Sequence, residues 1–130
     1  MFTPSRDRGA AAVEFALVLP ILLLLVIGIL EFGRAYHVQT TLSNAARDGV
    51  RVMALQDSAS AAIQAAKTSA EPLDLAGARI LVEPTDGCTA PGIATGLATV
   101  TIEYPFELVS GFLPLDAITL TGKGTMRCFG

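Results

Sequence analysis

The feature that most constrains this chain is an apolar stretch over residues 10–30, in which Glu14 is the only charged side chain. A helix of this length, at about 1.5 Å per residue, is roughly 31 Å long, and the hydrocarbon core of a bilayer is about 30 Å thick. The stretch therefore predicts one membrane-spanning helix. A charge near the bilayer centre costs at least about 2.5–3.5 kcal/mol, so Glu14 needs either a partner or a place in the headgroup layer.

A short polar leader with two arginines, Arg6 and Arg8, precedes Gly9 and the apolar stretch. Basic residues favour the cytoplasmic side of a membrane, although Asp7 between the arginines weakens the bias. The sequence thus predicts a cytoplasmic N-terminus and places residues 31–130 outside the cytoplasm. An uncleaved signal anchor has the same pattern, and the bilayer argument alone does not distinguish it from a processed segment.

The remaining chain has the size and charge of one small outer domain. Ten acidic and seven basic residues follow Leu30, and this balance offers no basic surface for nucleic acid. Two cysteines, Cys88 and Cys128, are expected to form a disulfide in an oxidising compartment, where it would stabilise a domain with a small core. The alternative is two unrelated buried thiols.

Periodic patterns predict an α+β fold. An apolar stripe from Val38 to Met53 extends the membrane helix, which we expect to run from about Ala11 to about Leu55. Asp57 and Ser58 are typical helix-start residues and predict a short helix over 59–70, ended by Pro72. Strands are predicted at 78–83, 97–104 and 118–128, the last two from their period of two. A long helix, half in lipid and half amphipathic, would cover a three-stranded antiparallel sheet and give an α+β lollipop.

The connection from Pro105 to Leu115 is unusually apolar. One expectation is that it folds onto the long helix. The other is that it exposes Phe106, Phe112 and Leu113 as a docking patch.

The sequence offers few residues for catalysis. His37 is the single histidine and lies at the expected membrane exit, and the scattered carboxylates and distant cysteines make no metal-ligand cluster. The run Gly122-Lys123-Gly124-Thr125 lacks the glycine spacing of a phosphate-binding loop and fits a strand better. We therefore expect no enzyme activity and no cofactor.

Three segments carry a family resemblance. The run Arg8-Gly9-Ala10-Ala11-Ala12-Val13-Glu14-Phe15-Ala16-Leu17-Val18-Leu19-Pro20 resembles the N-terminus of TadE-like proteins, the pseudopilins or minor pilins of tight-adherence (Tad, or Flp) pilus systems. The segments Gly28–Ala35 and Asn44–Arg51 resemble them too. The resemblance is specific over roughly residues 8–53 and is weak beyond, where only the final strand, Ala117–Arg127, is similar.

The resemblance implies a minor pilin rather than the main fibre protein, because the chain is longer than major Flp pilins and carries Phe15 where they have tyrosine. It implies cleavage between Gly9 and Ala10 by a prepilin peptidase of the inner membrane, and assembly with other pilins, a platform protein and an ATPase. Residues 1–9 would be the leader, 10–30 the membrane and assembly helix, and 31–130 the periplasmic or extracellular domain.

Cleavage would give Ala10 a free amine, with which Glu14 of a neighbouring subunit can pair. The competing hypothesis is that Glu14 only lies among headgroups, helped by the helix dipole. Two other functions stay open: a single-span binding or sensor module that never polymerises, and a small secreted domain whose apolar segment is removed.

Overall fold

The computed structural model describes residues 6–89, 96–109, 111 and 117–129. The chain divides into two compact units, Met1–Arg34 and Ala35–Gly130. Its elements, in chain order, are α1 (Arg6–Gln56), α2 (Ala59–Ala70), β1 (Arg79–Glu83), β2 (Leu97–Phe106) and β3 (Ile118–Arg127). The predicted α+β class, with a long apolar N-terminal helix, a short second helix and three antiparallel strands, is confirmed.

Helix α1 begins earlier than its sequence suggested, at Arg6 rather than near Ala11, so the end of the expected leader is already helical. Helix α2 has the predicted bounds. Ser58 caps it, with its side-chain oxygen accepting a hydrogen bond from the Ala61 amide at 3.3 Å, and this satisfies one of the amides that a helix start leaves unpaired. Pro72, two residues after α2 ends, cannot continue the helix.

The sheet has the order β1-β2-β3, and both pairs are antiparallel. Glu83 pairs with Thr99, which in turn pairs with Thr125, so these three residues share one row across the sheet. Neighbouring rows alternate between the two faces. On β2 and β3 the outer face carries mainly threonines and charged residues, while Ala98, Val100 and Ile102 are fully buried on the inner face.

The core of the second unit lies between the inner face of the sheet and the amphipathic part of α1. All five residues of the predicted stripe are buried: Val38, Leu42, Ala45, Gly49 and Met53. Phe106, expected either in the core or in an exposed docking patch, is 3 % exposed and belongs to the core and to β2. Phe112 and Leu113, the other two members of that patch, lie outside the described residues.

Two glycines of β3 allow α1 to approach the sheet closely. A Cβ at Gly122 would collide with the carbonyl of Leu42, and one at Gly124 would lie 2.6 Å from the carbonyl oxygen of Ala46. Both obstacles are helix backbone, which cannot rotate away as a flexible side chain does. The Gln39 side-chain amide also donates to the Thr121 carbonyl at 2.6 Å. The glycines of the Gly-Lys-Gly run thus serve helix–strand packing.

The far end of α1 is tied to the loop after β1 by Asp57. This residue has a positive φ of 52°, and its carboxylate accepts hydrogen bonds from the Thr89 hydroxyl at 2.7 Å and from the Cys88 amide. These donors, the Thr89 hydroxyl foremost, lower the pKa of Asp57 below its usual value. A residue expected only as a helix-start signal is therefore a clamp.

The predicted disulfide between Cys88 and Cys128 is present, with Cα atoms 5.7 Å apart. Around it, the Cys128 amide donates to the Gly96 carbonyl at 2.7 Å and the Phe129 amide to the Ala54 carbonyl at 3.0 Å. The bridge, the Asp57 clamp and these two bonds hold the loop after β1, the end of β3 and the end of α1 together.

Replacing Gly124 by alanine should lower the free energy of unfolding of the second unit by about 1–3 kcal/mol, the usual cost of overpacking, because α1 must shift. Denaturant unfolding of the full chain in detergent, followed by near-ultraviolet circular dichroism, measures this. Gly77→Ala is the control, since a Cβ there meets nothing within 4 Å. Equal stability of the two variants would contradict the packing role.

Asp57→Asn should destabilise the second unit at neutral pH. A carboxylate whose pKa is lowered by folding contributes stability above its unfolded pKa, about 3.9, and loses it as pH falls through the folded pKa. The stability difference between wild type and variant should therefore be largest at neutral pH and shrink below about pH 4. Asp86→Asn is the control, because Asp86 accepts no hydrogen bond among the described residues. A difference independent of pH would contradict the clamp.

Candidate functional site

The first unit presents an apolar helical surface that nothing in the unit covers. Every residue from Asp7 to Val26 is exposed, including Phe15 at 66 % and Leu17 at 69 %. Large apolar side chains occur on all sides of this part of α1, so it has no polar face. A helix that is apolar all round is stable in a membrane or inside a larger assembly.

The length and composition of α1 are sufficient for one membrane crossing, and none of its most apolar window is buried within the chain. The helix therefore fits a single-pass membrane anchor. Pro20 lies within it without ending it, although its ring nitrogen has no hydrogen to donate to the carbonyl of Ala16. Membrane helices tolerate such a residue because neighbouring groups can satisfy the freed carbonyl.

The Gly9–Ala10 bond lies close to the start of α1, within five residues of Arg6. A Cβ at Gly9 would have nothing within 4 Å, so the packing of this chain does not require a glycine there. Glycine in a helix costs about 1 kcal/mol relative to alanine. The residue thus weakens the helix at a point where its own fold gains nothing from it.

Glu14 lies one helical turn after Ala10 and is exposed. The side chains at the two preceding positions on its face, Ala10 and Ala11, are small, so they leave its carboxylate accessible from the side. An ion pair in this unit joins Glu31 to Arg34 at 3.9 Å, and Glu14 forms none with any described residue. The structure thus places Gly9, Ala10, Glu14 and Phe15 together on the first turns of α1.

A concave surface lies within the second unit. It is a groove of about 390 Å³, lined by His37, Thr41 and Asn44 of α1 and by residues 69–73, which lie at the end of α2 and just after it. His37 is exposed at its rim. Among the described residues, no group of three or more His, Cys, Asp or Glu side chains is arranged to hold a metal ion.

Sequence reasoning missed two features of the second unit. In the Asp57 clamp, Asp57 binds Cys88 and Thr89, which lie 31 and 32 positions further along the chain. No local pattern reveals such a pairing. The close approach at Gly122 and Gly124 had a signal, since two glycines at alternate positions of a strand share one face, but the sequence does not say which element packs on that face.

Comparison with known proteins gives one finding. Residues 9–51, about a third of the chain, match the model of the TadE-like protein family, and the expected resemblance is confirmed over this segment. No curated protein and no solved structure shows significant similarity to the chain. The match begins at Gly9 and ends within α1, so it covers the apolar helix and most of the amphipathic part.

Proposed function

From the TadE-like match we propose that this protein is a minor pilin of a Tad pilus, cleaved after Gly9 and assembled through the first turns of its apolar helix. TadE-like proteins are structural components of a pilus system and associate with other pilins. The observation that carries the proposal is the exposed carboxylate of Glu14, which is the only charge between Ala10 and Leu30. This apolar stretch comes directly after Gly9, a glycine that the fold does not need.

Processing would occur at the Gly9–Ala10 bond in the inner membrane, by a prepilin peptidase. The first turn of a helix has amides without intrahelical partners, and helix ends open at little free-energy cost. Gly9 lowers that cost further. A backbone without a side chain also lets an enzyme approach closely. Both effects explain a glycine whose surroundings in the chain are empty.

Assembly would use the new amine of Ala10. Glu14 lies four positions after Ala10, which is an axial distance of about 6 Å along a helix. If Glu14 of one subunit pairs with the Ala10 amine of the next, the two helices are displaced by this distance. The pair replaces an isolated carboxylate in hydrocarbon, which is the costly alternative. Small neighbours of Glu14 let a second helix come close.

The proposed topology is a single span with a cytoplasmic N-terminus and an outer domain. Arg6 and Arg8 favour it, and a disulfide is the chemistry of an oxidising compartment. The assembly platform and ATPase would act on the pilus as a whole, and surface adhesion would be its result. The competing function is a membrane-anchored module that never polymerises, which keeps its Gly9–Ala10 bond.

Gly9→Val should leave a full-length precursor in the membrane, because a branched side chain obstructs the peptidase and does not affect the fold. N-terminal sequencing of protein from the native host measures this and should find Ala10 first in the wild type. Gly28→Val is the matched control, since a Cβ at Gly28 also meets nothing within 4 Å, and it should be processed normally. Wild-type protein that begins at Met1 or Phe2 would end the processing proposal.

Glu14→Gln should leave membrane insertion intact and strongly reduce incorporation into pili, because the side chain keeps its shape and loses the charge that pairs with Ala10. Pili counted by electron microscopy and surface attachment are the measurements, with fractionation to confirm insertion. Glu103→Gln on β2 removes a carboxylate elsewhere and should have no effect. Normal piliation by the Glu14 variant would leave this residue only an interfacial role.

A further inference from the structure

Strand β3 and the part of α1 that packs on it carry most of the basic residues of the second unit. Strand β3 carries Lys123 and Arg127 on the outer face, and α1 adds Arg47 and Arg51, which are exposed. Together these four residues form what we call the basic edge. They are four of the six Lys and Arg residues that follow Ala35. Within the described part of the chain, none of the four forms an ion pair.

The carboxylate between the two arginines, Asp48, accepts a hydrogen bond from the Ser69 hydroxyl of α2 and forms no ion pair with a described residue. In the sheet, Lys123 pairs with Thr101 and Arg127 with Leu97, whereas Arg79 on β1 lies opposite the carboxylate-bearing Glu103. Arg47 and Arg51 are four residues apart on one helix, a spacing at which like charges repel. A surface that concentrates uncompensated charge of one sign is suited to a partner of the opposite sign.

The opposite edge of the same sheet carries exposed carboxylates, and its Arg79 lies opposite Glu103. Glu83 ends β1 and Asp86 follows in the next turn, and both are exposed; we call this pair the acidic edge. Glu83 shares its row with Thr99 and Thr125, so it lies at a level between Lys123 and Arg127. Residues in one row point to the same face of a sheet, and every second residue of a strand does so too. Glu83, Lys123 and Arg127 therefore all lie on the outer face, with Thr125.

We propose that a second copy of this chain docks its acidic edge against the basic edge of the first, side by side and in the same orientation. Moving a copy sideways in the plane of the sheet, without moving it along the strands, brings its Glu83 between Lys123 and Arg127 of the neighbour. Such a head-to-tail contact leaves one edge of each type free, so it can be repeated by further copies. The inference rests on the proposed function, because a pilin must contact other subunits laterally. The basic and acidic edges would be the surfaces of that lateral contact, and a second copy of the chain would be the partner.

The contact can be detected by cross-linking with a zero-length carbodiimide, which joins an amine to a carboxylate only when the two groups are in contact. Full-length protein grown with light and with heavy nitrogen is mixed, reconstituted in lipid vesicles and cross-linked. The expected product joins Lys123 of one isotope to Glu83 or Asp86 of the other. Its yield should fall when salt rises from about 0.05 to about 0.5 M, since salt screens exposed charges. Links within one isotope only, or none, would overturn the proposal.

Charge reversal tests the pairing itself and keeps Lys123 as the reactive amine. Arg127→Glu should abolish the mixed cross-link, and Lys67→Glu, the same charge change at an exposed position of α2, should preserve it. In a two-tag capture of detergent-extracted full-length protein, Arg127→Glu should lose its wild-type partner and regain binding to a Glu83→Arg copy. Unchanged capture by Arg127→Glu would overturn the proposal.

The same experiments separate this inference from the proposed function. Vesicles contain no peptidase and no pilus machinery, so the mixed cross-link forms or fails whatever the outcome of the Gly9 and Glu14 variants. In native membranes, a Lys123 link to the carboxylate of a different protein would overturn the assignment to a second copy, even if pili form normally.

Discussion

The second unit depends on one contact, the approach of the α1 backbone to β3 at Gly122 and Gly124. A helix normally packs on a sheet through side chains of both, but here a Cβ on the strand has no room. The closeness brings Leu42 and Met53 into the core with full burial and lets the Gln39 side chain reach the Thr121 carbonyl. Removing water from that much apolar surface is the main stabilising term in a unit of this size.

The Asp57 clamp and the disulfide complete what this contact begins. Packing at Gly122 and Gly124 fixes the middle of α1 against β3, whereas the bonds around Cys88 and Cys128 fix its end. The two groups of interactions differ in kind. The first is apolar and independent of pH. The second depends on an ionised carboxylate and on an oxidised bridge, so neutral pH and an oxidising environment favour it.

Elements with strong local patterns could be predicted. Ser58 and Pro72 bound an alanine-rich run and so defined α2, and alternation over eleven residues defined β3. The start of α1 at Arg6 was missed because the expected cleavage at Gly9 suggested a boundary, although Arg6 to Arg8 are acceptable in a helix. The end of β2 was missed because Pro105 cannot donate a ladder hydrogen bond. Beyond Glu103, however, β2 pairs with β3 alone, so its other side has no strand that requires an amide donor. The residues of the candidate assembly site came from a linear motif and could be named, while the clamp at Asp57 joins distant positions and could not.

The same α1–β3 contact also sets the order in which the unit can form. Gln39 and Thr121 are separated by 82 residues, and the chain between them must be available before the core closes. Contacts between such distant positions carry the entropy of closing a long loop and slow the folding of a domain. If the amino terminus stays in the cytoplasm while the chain is exported, α1 leaves the translocation channel first and β3 last. In that case the second unit stays open during synthesis until β3 emerges, and only then can α1 and β3 make their contact.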